Sequence, residues 1–149
     1  QRPRRWFNSS TGYGTLGYAL PAAIGAWLGG SIEGGVRPPV VCLIGDGGLQ
    51  FTLPELASAV EARTPVIVLL WNNQGYEEIK KYMVNRAIEP VGVDIYTPDF
   101  IAVAKALGCA AEAVSGVEQL RGALRAASDR QGPTLIEIDQ TAWTKAVSK

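Results

Sequence analysis

Two unbroken apolar runs, Val40–Ile44 (VVCLI) and Val66–Trp71 (VIVLLW), constrain this chain more than any other feature. Each is short for a helix, rich in β-branched residues, and does not alternate with polar residues. Such runs fit parallel strands covered by helices on both faces. Two weaker runs, Ala110–Val114 and Thr134–Ile138, extend the set, the second marked off by Gly132-Pro133. Residues near Trp6–Asn8 predict a fifth strand.

Helical spacing fills the gaps. Leu53, Leu56, Ala57 and Val60 share a face after the first run, and Thr52 and Glu55 stand as a capping box. Thr97-Pro98-Asp99 predicts a helix start with proline in the first turn. Phe100, Val103, Ala104 and Leu107 form its apolar face, and Gly108 ends it. Ser115 and Glu118 predict a second capping box, ahead of a helix that turns Val117, Leu120, Leu124 and Ala127 inward. A stretch rich in small residues, Leu16–Leu28, predicts a helix that ends at Gly29-Gly30. The alternation of strand and helix gives an α/β, doubly wound domain with a mostly parallel sheet and helices on both faces. The 149 residues suffice for one such core. Gly30–Pro39 reads as a surface loop. Asn85–Pro98 has little periodicity and fits a mobile active-site segment or a plain surface loop.

Several function classes are excluded. The formal net charge is zero, which argues against a dedicated binder of nucleic acid or of membrane surfaces. Arg2, Arg4 and Arg5 read as a solvated end. The longest apolar candidate, Tyr18–Leu28, is broken by Pro21 and Gly25, so no stretch spans a bilayer, and no signal peptide is evident. Cys42 and Cys109 fit no metal spacing and read as buried thiols of a cytoplasmic protein. With no histidine, these residues offer no Ser-His-Asp or Cys-His chemistry and no histidine-ligated zinc. The chemistry left is that of carboxylates, amides, backbone groups or a cofactor. The chain opens at Gln1, directly in a patterned segment, so it is expected to be a piece of a longer polypeptide.

The first long run ends in Gly45-Asp46-Gly47-Gly48 and the second in Asn72-Asn73-Gln74-Gly75-Tyr76. Each alone reads as an ordinary polar turn. One helix and one strand separate them, so both ends are expected at the same edge of the sheet, where open α/β folds bind ligands. Asp46 offers an anionic oxygen, Asn73 an amide oxygen and Gly75 a backbone carbonyl. Magnesium takes oxygen ligands and few carboxylates when phosphates complete its shell. Gly47 and Gly48 open a turn or helix whose backbone N–H groups can face an anion. The pair of turns therefore suits Mg²⁺ with a diphosphate.

This arrangement resembles the cofactor motif of thiamine diphosphate-dependent enzymes, in the group of 2-oxo acid decarboxylases and acetolactate synthases. A second stretch, GYGTLGYALPAAIGAWLG (Gly12–Gly29), is similar to the group's segment beside the cofactor's aminopyrimidine. Together the two cover nearly the whole chain as one C-terminal diphosphate-binding domain. The resemblance implies that the pyrimidine-binding and middle domains lie upstream. It implies Mg²⁺ on Asp46, Asn73 and the Gly75 carbonyl, and a cofactor site lined by Gly14, Thr15, Leu16, Gly45, Asp46, Gly47, Gly48, Asn73, Gly75 and Tyr76. Gly47 and Gly48 would donate to the diphosphate and the Gly14 carbonyl would accept from the 4′-amino group. Leu16 would hold the cofactor bent so that its reactive carbon can lose a proton. The family's glutamate for the pyrimidine nitrogen belongs to the pyrimidine-binding domain of a partner subunit. A homodimer or homotetramer is therefore implied, and the isolated chain is expected to be inactive.

The helix Tyr76–Met83 (YEEIKKYM) would face the substrate, a small 2-oxo acid, with Glu77, Glu78 and Ile79 as candidate contacts. Ile79 stands where some pyruvate-type members carry a catalytic glutamate, so that mechanism is not expected here. Glu78 in an apolar cleft would favour a cationic tail, as in 5-guanidino-2-oxopentanoate. As a surface ion-pairing residue it would not. GVDIYTPDFIAVAKALGC, downstream, is closer to the benzoylformate decarboxylase-like branch, while an acetolactate-forming carboligase acting on pyruvate stays open. A non-catalytic nucleotide-binding module is the rival of another class. Gly12-Tyr13-Gly14-Thr15-Leu16-Gly17 matches G-x-G-x-x-G, but Glu33, the acidic residue at the needed distance, sits in a glycine-rich loop.

Overall fold

The computed structural model describes residues 6–8, 13–30 and 37–147. Arg2, Arg4, Arg5, Gly12, Glu33 and much of the Gly30–Pro39 loop lie outside the described residues. The elements run α1 (Ala19–Gly29), β1 (Val41–Gly45), α2 (Asp46–Phe51), α3 (Glu55–Glu61), β2 (Ile67–Asn72), α4 (Glu77–Asn85), α5 (Phe100–Ala106), β3 (Ala110–Val114), α6 (Val117–Ser128), β4 (Thr134–Asp139) and α7 (Gln140–Val147). The four strands form one parallel sheet in the order β1-β2-β4-β3. Gly45 pairs with Trp71 and Asn72 with Asp139, so three strands end together at one edge.

Two hydrophobic cores sandwich the sheet. Leu20, Ile24, Leu49, Leu56, Phe100 and Ala104 from α1, α2, α3 and α5 pack on Cys42, Ile44, Val68, Leu70 and Leu135. On the other face Ala123 and Ala127 of α6 and Trp143 of α7 cover Ile67, Val114, Ile136 and Ile138. Side chains of successive strand residues point to opposite faces, so each continuous run feeds both cores. β1 departs from that expectation. Cys42 and Ile44 are buried, but Val41 and Leu43 are 49% and 56% exposed. β1 is an edge strand, and α6 and α7 lie over β2, β3 and β4 instead.

Several local expectations are corrected. Residues 6–8 form no strand, and Trp6 and Phe7 are exposed, Phe7 meeting Tyr18 edge-on. The helix expected over Leu16–Leu28 starts only at Ala19, because Gly14 and Gly17 take left-handed backbone angles (φ 64° and 86°) ahead of it. Thr52 and Glu55 make no capping box: α3 begins after Pro54, and the Thr52 hydroxyl donates to the Gly17 carbonyl at 3.0 Å. Asp99 caps α5, accepting from the Ala102 N–H at 2.9 Å, with Pro98 outside the first turn. At α6 the side chain that reaches back to Ser115 is Gln119, not Glu118, and Val117 faces solvent. Helix α7 carries no strong periodic signal and was not expected. Asp139 accepts from the Ala142 N–H at 2.8 Å, and Trp71 donates to Gln140 at 2.7 Å. No helix among the described residues is long and apolar enough to cross a membrane.

Candidate functional site

The ends of β1 and β2 lie side by side and place the two polar turns in contact. Gly45 is extended, and Asp46 begins α2 directly behind it with 1% exposure. One carboxylate oxygen, Oδ2, accepts the Gly75 N–H at 2.9 Å. Among the described residues no cationic side chain pairs with this carboxylate, an arrangement that is costly unless something else neutralises it. Asn72 serves the turn itself: its Oδ1 accepts the Gln74 N–H at 3.0 Å, and its Nδ2 donates to Glu137 at 2.6 Å. Gln74 is left-handed (φ 63°), which swings the chain round so that Gly75 faces Asp46.

Asn73 closes the group. One end of its amide stands 2.9 Å from the Gly75 carbonyl oxygen and 3.0 Å from Asp46 Oδ1. With nitrogen at that end the amide donates to both acceptors. With oxygen there, it faces two other oxygens at these distances, an arrangement that a bound cation would relieve. Ligands adjacent on an octahedron around magnesium lie about 3.0 Å apart, from metal–oxygen distances of about 2.1 Å. The spacing fits that donor set. Clusters of three or more His, Cys, Asp or Glu that could hold a metal are absent among the described residues.

The turn is backed by a segment that periodicity does not reveal. Val93 is buried, and its carbonyl accepts the Tyr76 N–H at 2.9 Å. A Cβ on Gly75 would meet that same oxygen at 2.7 Å, so only glycine fits. Lys80 of α4 reaches Asp94 at 2.7 Å. The Asn85–Pro98 stretch is therefore tied to the site at Val93 and Asp94. Sequence reasoning missed both residues, because a single buried valine in an aperiodic stretch leaves no pattern.

Gly47 and Gly48 are buried in the first turn of α2, where no side chain caps the backbone N–H groups. A Cβ on Gly48 would come 3.4 Å from Ile44 and 3.8 Å from the Gly17 nitrogen. The loop bearing Gly14, Thr15 and Leu16 thus runs beside α2, pinned by the Thr52–Gly17 hydrogen bond. Leu16 is 46% exposed and belongs to neither core. Glu78 lies in no apolar cleft here. It is 88% exposed and pairs with Lys81 at 3.3 Å, beside Glu77, while Ile79 is exposed next to it. No residue of α4 is buried. The two thiols are inert by burial, which pushes Cys42 up to about 12 and Cys109 up to about 11.

Comparison with known proteins gives a consistent result. The family model described as thiamine pyrophosphate enzyme, C-terminal TPP binding domain, matches residues 1–138. A protein of Pseudomonas aeruginosa named "Probable 2-ketoarginine decarboxylase" is 45% identical over 137 residues, covering 91% of this chain and 23% of the relative. An acetolactate synthase of Bacillus subtilis is 33% identical, covering 87% of this chain and 22% of its own length. The solved structure of a thiamine diphosphate-dependent 4-hydroxybenzoylformate decarboxylase from Rhodococcus jostii superposes with a TM-score of 0.75 at 32% identity. It covers 85% of this chain and 23% of its own. The chain spans under a quarter of the length of these relatives.

Proposed function

Because the chain belongs to the thiamine pyrophosphate enzyme family, as its C-terminal TPP binding domain, we propose that it holds Mg²⁺ and thiamine diphosphate for an enzyme that decarboxylates a 2-oxo acid. The observation that carries the reading is the meeting of Asp46 Oδ1, the Asn73 amide and the Gly75 carbonyl at 2.9–3.0 Å. These three groups would hold the metal, with the Gly75 N–H fixing the carboxylate so that Oδ1 faces Asn73. The backbone N–H groups at Gly45, Gly47 and Gly48 would take the diphosphate, where a helix start without a side-chain cap favours an anion. Gly14, Thr15 and Leu16 would bound the other end of the cofactor, Leu16 giving it an exposed apolar surface. When bound, the cofactor supplies an electron sink for loss of CO₂.

The remaining parts of the reading rest on the resemblance to this family, and the chain's span of under a quarter of its relatives' length supports the presence of further domains. The pyrimidine-binding and middle domains belong to the same polypeptide, and the pyrimidine-binding domain of a partner subunit closes the site in a homodimer or homotetramer. Two free thiols suit a reducing, cytoplasmic location.

For the substrate we favour 5-guanidino-2-oxopentanoate. The 45% identity to a relative named for that decarboxylation supports it, whereas Glu78, exposed and paired with Lys81, adds no support. The second reading, acetolactate formation from pyruvate, draws on the 33% identity to a synthase. The test is CO₂ release by the whole protein from both acids, with and without thiamine diphosphate and Mg²⁺. Cofactor-dependent release that favours the guanidino acid is expected. Acetolactate from pyruvate would move the protein to the synthase reading, and no cofactor-dependent turnover of either acid would overturn both.

A further inference from the structure

The two strand-end turns touch through Tyr76, and we propose that its ring is a positioning group that sets their separation, with Gly47 a glycine in order to receive it. The inference rests on the cofactor-site reading above. A Cβ on Gly47 would stand 2.5 Å from Cε1 and 2.7 Å from Cδ1 of Tyr76, closer than any real contact. The ring therefore lies directly on the Gly47 backbone. The Tyr76 backbone is held as well, though the residue is only half-buried: its N–H donates to Val93 O at 2.9 Å, the oxygen that leaves Gly75 no room for a side chain.

The placement of the contact gives it a consequence. Gly47 directly follows Asp46, and Tyr76 directly follows Gly75. The ring thus bears on the residues next to two of the three oxygen donors, and moving it moves the donors apart. Packed interiors transmit such displacements because they leave little free volume. Among the described residues no hydrogen bond uses the Tyr76 hydroxyl, so packing of the ring carries the effect.

A glycine beside an anion site has another ordinary explanation, close approach of the phosphate to the backbone. The two explanations make opposite predictions for a second-site change. The experiment measures Mn²⁺ binding by electron paramagnetic resonance, with thiamine diphosphate present, in the whole protein. Gly47→Ala is expected to weaken Mn²⁺ at least ~10-fold, the range seen when supports of metal ligands are altered. Tyr76→Ala is expected to weaken it less. The double variant G47A/Y76A is expected to bind at least about threefold more tightly than Gly47→Ala alone, as coupled neighbours do. Tyr76→Phe is expected to restore what Tyr76→Ala loses, and that pair decides the matter even where Gly47→Ala does not fold.

A double variant no better than Gly47→Ala would overturn the proposal in favour of phosphate approach. Tyr76→Phe as weak as Tyr76→Ala would also overturn it. Failure of the unaltered protein to bind Mn²⁺ with thiamine diphosphate would overturn the site reading itself, and the positioning role with it.

Discussion

Asp46 shows how the backbone places and fixes a single carboxylate. Its backbone ends one strand and starts one helix, and its carboxylate is buried with one oxygen held by a neighbouring N–H. The sequence pointed to it only through its pairing with the Asn72–Tyr76 turn, one helix and one strand later, since Gly45-Asp46-Gly47-Gly48 alone reads as an ordinary turn. The same burial silences the cysteines. Their folded values of about 12 and 11 lie above the ordinary 9.0, so the folded state favours the protonated thiol. That contribution is fully present below about pH 9 and is lost as pH rises through 11 to 12. The native protein is expected to leave Cys42 and Cys109 unreactive toward iodoacetamide at pH 8, and both are expected to react in denaturant. Between pH 9 and 12 the urea midpoint should fall less steeply for a variant with both cysteines changed to alanine than for the unaltered chain. Rapid native alkylation would contradict the burial.

Among the elements, the caps separate what pattern shows from what geometry decides. Asp99 reads as a cap and is one, whereas Thr52 with Glu55 has the spacing of a capping box and spends its hydroxyl on Gly17 instead. Spacing identifies candidate caps, but tertiary contacts can claim the side chain first. Asp99→Ala is expected to cost about 1 kcal/mol in urea denaturation, while Glu55→Ala should change stability by no more than about 0.5 kcal/mol. Equal losses would restore the box. Helix α7 escaped notice because its fixed points, Trp71–Gln140 and the edge-on Trp71–Trp143 pair, join residues far apart in sequence. Helix α4 was legible, yet its lack of any buried residue was not.

At the scale of the molecule, the parallel α/β architecture and the meeting of two strand ends were legible, since continuous apolar runs with helices between them allow few other folds. The Asp46, Asn73 and Gly75 group was legible for the same reason: strand ends are where such sheets gather polar groups. The strap through Val93 and Asp94 and the ring of Tyr76 on Gly47 were not, because they depend on where an aperiodic loop returns. Nor was the open apolar face of β1, since edge position is a property of the strand order. The most direct test of the central claim is calorimetric titration of the whole protein with thiamine diphosphate, with and without Mg²⁺, in the unaltered form and in Asp46→Asn. The account predicts saturable binding that requires Mg²⁺ and is weakened at least ~100-fold in the variant, as expected for loss of the one carboxylate among the three proposed protein ligands. Equal binding without Mg²⁺, or undiminished binding in Asp46→Asn, would contradict it.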